Sequence, residues 1–170
     1  ELNVSVQMVS GSYHAALGVP AAAGRTFVPD DDRPAAEPVA VISYRYWENR
    51  FNRDPGVLGR TLQVHKVPVT IVGVTAPRFA GTQQVGENLD VTVPLSHFAR
   101  FQPDAVDKNK PWYWWIRIMG RLAPGTTREQ TRASLEPLWQ EAAKEGWQTP
   151  RAGSAAPVEP RHVEPRPVAG

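Results

Sequence analysis

The stretch PVAVISYRYWENRF, residues 38–51, sets a buried strand directly before an amphipathic helix. Its first five residues form a continuous apolar run, which is typical of a strand covered on both faces. Ser43 then stands where a helix N-cap belongs. Aromatic side chains follow at helical spacing: Tyr44, Trp47 and Phe51. The stretch therefore predicts a strand over 38–42 and a helix over 44–52.

Further strands are predicted on both sides of this unit. Residues 2–8 alternate apolar and polar side chains, which is typical of a half-buried strand. Residues 61–65 and 67–74 are two strand-like runs joined by very few residues, so they predict a hairpin. Two more strands are expected over 89–94 and 112–122, while the proline-containing segment 20–38 is predicted to be mostly loop.

One long helix is predicted near the end of the chain, over residues 127–145. Thr127 and Gln130 have the spacing of a capping box, and Pro137 is expected to kink the helix. The tail 150–170 is rich in proline and is predicted to be weakly structured. Because strands and helices do not alternate regularly, the order of elements predicts an α+β fold.

Composition excludes several classes of protein. The chain has 170 residues, no cysteine and a net charge of only +2. Disulfide scaffolds and cysteine nucleophiles are therefore excluded, and the charge does not favour a nucleic-acid partner. The longest stretch without charge, residues 2–24, is broken by polar residues and cannot span a bilayer. Because the chain starts within a strand-like pattern without Met, we expect it to be an excised piece of a longer protein.

No set of residues has the spacing of a catalytic, cofactor or metal site. The four histidines (His14, His65, His97 and His162) each lack a second ligand on the same element. The acidic run 30–32 lacks the spacing of a calcium loop, so it predicts a solvated loop in which one Asp caps a turn. The glycines of residues 81–86 do not match a phosphate loop.

The most unusual local feature is the aromatic cluster of residues 112–115, WYWW. On a strand, Tyr113, Trp115 and Arg117 share one face, and the other face is expected to pack under the helix at 127–145. The first face is either buried, giving a strand covered on both sides, or exposed as an aromatic and basic surface. In the second case these three residues would contact a partner.

Several segments together resemble the periplasmic core domain of MacB-type ABC permeases, in particular the orphan MacB/FtsX-type permeases of Acidobacteria-like bacteria. The similarity covers about residues 8–145 and is carried by a linked series of short motifs, each weak alone. The motifs are VSGSY at 9–13, GRTF at 24–27, DDDR at 30–33, VAVIS at 39–43, GRTL at 59–62, VTIVGV at 69–74, VPL at 93–95 and GRLAPG at 120–125.

The resemblance implies two lobes. Residues 1–19 and 106–170 would belong to a porter-like βαβ lobe that is incomplete at its N-terminus. Residues 20–105 would form a small mixed α/β lobe inserted into it. An incomplete porter-like sheet would have an open edge, which favours pairing with a second copy as a homodimer.

The resemblance also implies the function. The domain would lie in the periplasm, outside the cell membrane, as part of an inner-membrane permease. It would perform no catalysis and hold no cofactor. It would bind a partner or substrate and transmit conformational change to the transmembrane helices. The implied partners are those helices, a cytoplasmic ATPase subunit and a periplasmic adaptor or substrate.

Two alternatives stay open on the sequence. A secreted carbohydrate- or peptide-binding module would use the cluster 112–115 and requires at least two of its rings in one open groove. A small hydrolase would use His97 or His65 and requires that histidine within about 3 Å of a carboxylate.

Overall fold

The computed structural model describes residues 4–82, 88–103 and 116–148, the last four of these by their backbone alone. The chain divides into two compact units, Glu1–Ala105 (unit 1) and Val106–Gly170 (unit 2). Helices and strands occur without regular alternation, which confirms the predicted α+β class.

Unit 1 is built on a six-stranded mixed sheet. Its strands are β1 (Val6–Val9), β2 (Ala21–Gly24), β3 (Val39–Ile42), β4 (Thr61–Val64), β5 (Val67–Thr75) and β6 (Val91–Pro94). The strand order is β1-β6-β3-β5-β2, and β4 also pairs with β5. The pairs β1–β6 and β3–β5 are parallel, and the other pairs are antiparallel.

Short helices and turns connect these strands. The α-helices are α1 (Tyr13–Ala16), α2 (Tyr44–Phe51) and α3 (Phe98–Phe101). Single 3₁₀ turns lie at Pro29–Asp32, Pro55–Val57 and Leu95–His97. Helix α3 is a single turn.

The predicted strand and helix of residues 38–52 form the centre of the unit. All four residues of β3 are buried. Ala40 and Ile42 belong to one apolar cluster and Val39 and Val41 to another, because alternate side chains of a strand point to opposite faces. The aromatic residues of α2 pack against the first cluster. The continuous apolar run thus lies in a strand covered on both faces, as predicted.

The predicted hairpin is also confirmed. Strands β4 and β5 pair in the register Thr61↔Thr70 to Val64↔Val67. His65 and Lys66 form the two-residue turn, with φ values of 48° and 68°. Two positive φ angles give the turn a twist that matches that of the flanking strands.

Strand β2 lies within the segment 20–38, for which a loop is predicted. Its sequence, AAAG, carries little strand propensity, and it is ordered by pairing with the end of β5. The two segments approach so closely that a Cβ added to Gly73 would lie 1.9 Å from the carbonyl oxygen of Arg25. Only glycine fits at this position.

Unit 2 contains the helix α4, Arg128–Gln148, which confirms the helix predicted over 127–145. Its capping box is formed: the Gln130 amide N–H donates to Thr127 Oγ1 at 3.2 Å, and the Thr127 N–H donates to Gln130 Oε1 at 2.9 Å. Pro137 lies inside the helix.

The strand predicted over 112–122 is wrong for its described part. Residues 116–123 form neither helix nor strand. A strand needs a hydrogen-bonded neighbour, and the described part of unit 2 holds no second strand for it to pair with. Residues 112–115 and the tail 150–170 lie outside the described residues.

Strand β1 pairs with β6, and residues 1–19 lie in the same compact unit as residues 20–105. The grouping of 1–19 with 106–170 in one porter-like lobe stays a prediction. Among the described residues, no helix has the length and apolar character needed to cross a bilayer.

Candidate functional site

Of the three predicted contact residues, the structure describes Arg117. Its side chain is exposed, in a segment without regular secondary structure. Tyr113 and Trp115 lie outside the described residues. The contact role of all three therefore stays a prediction, as does the carbohydrate- or peptide-binding alternative, which depends on the same cluster.

Unit 2 carries a group of exposed apolar side chains, called here the apolar surface of unit 2. Ile118 is 93% exposed and Leu138 is 67% exposed. The members lie on the segment 116–122 and on α4: Ile116, Ile118, Met119, Leu122, Leu135 and Leu138. Sequence patterning assigns most of them to packed faces and so misses their exposure. Exposed apolar side chains mark contact sites for other proteins or membranes where they form one contiguous patch.

The acidic run is occupied by hydrogen bonds. Asp31 accepts two from the Arg25 guanidinium, at 2.6 and 2.8 Å, and a third from the Val28 N–H at 2.8 Å. The Arg25 hydrogen bond, above all, lowers the pKa of Asp31, although partial burial opposes it. One Asp caps the turn, as predicted, but the prediction of a solvated loop is wrong at Asp31, which is buried. Its lone pairs are used by N–H donors rather than open to a cation.

Two further carboxylates join segments that are distant in sequence. Asp32 accepts from the Gly11 N–H at 3.1 Å and from the Ser96 N–H at 2.7 Å. Asp90 accepts from Arg45 of α2 at 2.6 Å and from the Ser5 N–H at 3.1 Å. No short-range sequence signal points to these roles, because the Asp90–Ser5 contact spans 85 residues.

In the described part of the chain, the two buried histidines, His14 and His97, do not form the hydrogen-bonded pair with a carboxylate that a hydrolase requires. His97 is 1% exposed, and neither of its ring nitrogens has a hydrogen-bond partner among the described residues. His14 is fully buried and equally unpartnered. His65 is exposed in the hairpin turn, and His162 lies outside the described residues. The described ranges also contain no cluster of three or more potential metal-ligating side chains.

A small cavity of about 10 Å³ lies beside the sheet. Ser43, Thr75, Phe79 and Asp90 are among its lining residues. Its volume suits one water molecule and is far below the hundreds of Å³ of a small-molecule pocket. This cavity is therefore too small to be a substrate site.

Comparisons with known proteins agree on one family. The family model described as MacB-like periplasmic core domain matches residues 1–138. Two curated relatives are macrolide export ATP-binding/permease proteins MacB. The one from Rhodopseudomonas palustris (strain BisB18) is 36% identical over 97 residues, and the one from Burkholderia thailandensis (strain E264) is 31% identical over 96. Each alignment covers 56% of this chain and 14% of the relative.

A solved structure matches the fold. The crystal structure of the periplasmic region of MacB from Actinobacillus actinomycetemcomitans superimposes with a TM-score of 0.60 at 16% identity. The match covers 83% of this chain and 57% of the other. At this identity the likeness concerns the fold alone. The family model, however, covers most of the chain, and the chain therefore belongs to the family of MacB-like periplasmic core domains.

Proposed function

We propose that this chain is the extracytoplasmic, periplasmic domain of a MacB/FtsX-type ABC transporter permease in the inner membrane. The observation that carries the proposal is the family match over residues 1–138. In the proposed role the domain performs no catalysis. It binds a partner or substrate and passes conformational change to the transmembrane helices of the same permease.

The construction of unit 1 supports a mechanical role. A single sheet joins residues 6 to 94, and the carboxylates of Asp32 and Asp90 link distant segments of the unit. Asp90 holds α2 and the chain before β1 to the start of β6. Such a cross-linked sheet moves as one body, which suits an element that must transmit a displacement between two states.

The apolar surface of unit 2 supports partner binding. Exposing Ile118 and Leu138 is unfavourable, because each buried apolar Å² is worth about 25 cal/mol. A partner of complementary apolar character would cover them. We propose that this surface, with Tyr113, Trp115 and Arg117, contacts a periplasmic adaptor or substrate.

The remaining partners follow from the family. The curated relatives are named ATP-binding/permease proteins, so we propose that a cytoplasmic ATPase subunit or domain drives the permease. Strand β1 pairs with β6 alone among the described strands, which leaves one edge of β1 for a second copy of the domain. A homodimer is part of the proposal for this reason.

Photo-crosslinking in the full-length permease tests the partner contact. A photoreactive phenylalanine analogue is placed at Ile118 or Leu138, and a matched control is placed at Val28, which is an exposed apolar residue of unit 1. We expect crosslinks to another protein at 118 and 138, at several times the yield at 28. Equal yields at the three positions, or crosslinks at 28 alone, would contradict the proposed surface.

The same variants test the transmission of conformational change. A ligand or nucleotide shifts a conformational equilibrium of the protein only if its contacts differ between the two conformations. We expect the crosslinking yield at 118 to differ between the actively hydrolysing transporter and the vanadate-arrested one. An unchanged yield, with active ATP hydrolysis confirmed, would contradict coupling through this surface.

A further inference from the structure

Two buried histidines lie near one corner of unit 1. His14 lies on α1 and is fully buried. His97 ends the 3₁₀ turn that follows β6 and is 1% exposed. In both rings, neither nitrogen has a hydrogen-bond partner among the described residues. A neutral imidazole always carries one acceptor and one donor nitrogen, so both groups are held in an unusual environment.

His14 is surrounded by rings. The ring of Tyr13 lies 5.1 Å from it, that of Phe27 at 5.3 Å and that of Phe79 at 6.1 Å, all between centroids. Phe27 and Phe79 lie on segments other than α1 and carry no charge. Among these ring contacts, Tyr13 has the titratable side chain. Burial without an ionic partner lowers the pKa of His14 to about 4.

His97 lies among charged groups but pairs with none by a hydrogen bond. Burial first, and then the positive charge of Arg100, lower its pKa, while the carboxylates of Asp32 and Glu37 act in the opposite direction. The net direction is downward, so His97 also resists protonation in the folded chain.

One carboxylate connects the two histidine-bearing segments. Asp32 accepts from the Gly11 N–H, two residues before α1, and from the Ser96 N–H, next to His97. The joint formed by α1, the turn at 29–32 and the turn at 95–97 therefore depends on Asp32 staying bonded to both. A proton on His97 would place a competing cation near this carboxylate, and a proton on His14 would place an unpaired charge among aromatic rings.

We propose that His14 and His97 make this joint an acid-sensitive element, which opens locally as the pH falls while the central strands β3 and β5 stay paired. Each histidine is neutral in the closed joint and takes up a proton when the joint opens. The contribution of the neutral histidines to the stability of the closed joint is therefore fully present above pH 6.5, the ordinary pKa of histidine. It is lost as the pH falls from there toward the lowered pKa of the histidines in the closed joint.

The physiological consequence rests on the proposed periplasmic location, where the domain meets acid from outside the cell. The joint itself does not depend on that location, because it is a property of the 170-residue chain. A failure of the acid response would thus leave the proposed function standing, and the two are tested separately.

Hydrogen exchange at equilibrium tests the proposal, with rates corrected for the intrinsic effect of pH. The relevant amides are those of Leu17 and Val19, which donate to the carbonyls of Tyr13 and His14. Between pH 7 and pH 4.5 we expect their opening equilibrium to rise on the order of 50-fold through His14 alone. The amides of β3 should change little. A pH-independent opening equilibrium at Leu17 and Val19 would overturn the proposal.

Variants assign the effect. In His14→Phe, which keeps a ring in the aromatic cluster, and in His97→Leu, we expect the pH response to shrink, and in the double variant to vanish. The matched control is His65→Asn, which removes an exposed histidine and tolerates the positive φ of the hairpin turn. It should retain the full response. An unchanged response in a folded double variant would overturn the proposal.

A measurement on the unmodified chain covers the case in which a variant fails to fold. The proton resonances of the imidazole rings report each histidine's pKa directly during an NMR titration. We expect His14 to titrate well below 6, because burial lowers its pKa to about 4. Titration of both His14 and His97 near 6.5 in the folded chain would overturn the proposal.

Discussion

At Asp31 a single carboxylate holds together the loop between β2 and β3. It accepts hydrogen bonds from Arg25 and from the Val28 N–H, and its side chain is only 10% exposed. We predict that Asp31→Asn lowers the free energy of unfolding by about 1–3 kcal/mol, because both donors lose their charged acceptor. Urea denaturation of the two proteins measures this difference.

The neighbouring Asp30 provides the control. It pairs with Arg33, but the two side chains are 74% and 70% exposed. Exposed pairs of this kind contribute little, so Asp30→Asn should leave stability unchanged within about 0.5 kcal/mol. Because the pKa of Asp31 is lowered from 3.8 in the folded chain, its contribution is present above pH 3.8 and is lost as the pH falls through the folded value. Equal losses in the two variants would contradict this account of the loop.

At the scale of an element, α2 depends on its N-cap. The Ser43 Oγ accepts from the Tyr46 N–H at 3.1 Å and so satisfies one of the free donors of the first turn. We predict that Ser43→Ala costs about 1 kcal/mol. The matched control is Ser12→Ala, since Ser12 precedes α1 but its side chain makes no capping bond. Thermal unfolding compares the two, and a larger loss for Ser12→Ala would show that the cap of α2 is not the important one.

Some helices and strands could be predicted from the sequence, and others could not. The strand and helix of residues 38–52, the hairpin and α4 could be predicted because their own residues carry the signal. These signals are apolar periodicity, a helix cap or a tight turn. Strand β2 is formed by pairing with β5, and its own sequence gives no strand signal. The segment 116–122 shows the reverse, because its strong alternation is not matched by a paired strand in the described part of unit 2.

The candidate site divides in the same way. The turn-capping role of an Asp in the run 30–32 could be predicted because the contacts of Asp31, with Arg25 and Val28, are local. The roles of Asp32 and Asp90 could not, because each joins segments more than 60 residues away in sequence, from Asp32 to Ser96 and from Asp90 to Ser5. Burial of His14 and His97 depends on the same distant packing in unit 1.

At the scale of the whole molecule, the chain combines a cross-linked sheet in unit 1 with an exposed apolar surface in unit 2. This combination, together with membership of the MacB-like periplasmic core domain family, is what the proposed role needs. A domain that transmits movement requires a stiff scaffold, and a domain that receives a partner requires surface that is costly to leave exposed.

Cysteine labelling of the full-length permease in spheroplasts tests the central claim most directly. The 170 residues contain no cysteine, so Val28→Cys introduces one reactive thiol into the domain at a 45% exposed position outside the proposed contact surface. Other cysteines of the permease are replaced, and a membrane-impermeant maleimide is added before and after the inner membrane is opened with detergent. An extracytoplasmic domain predicts full labelling before detergent is added. Labelling that appears only after detergent would contradict the account.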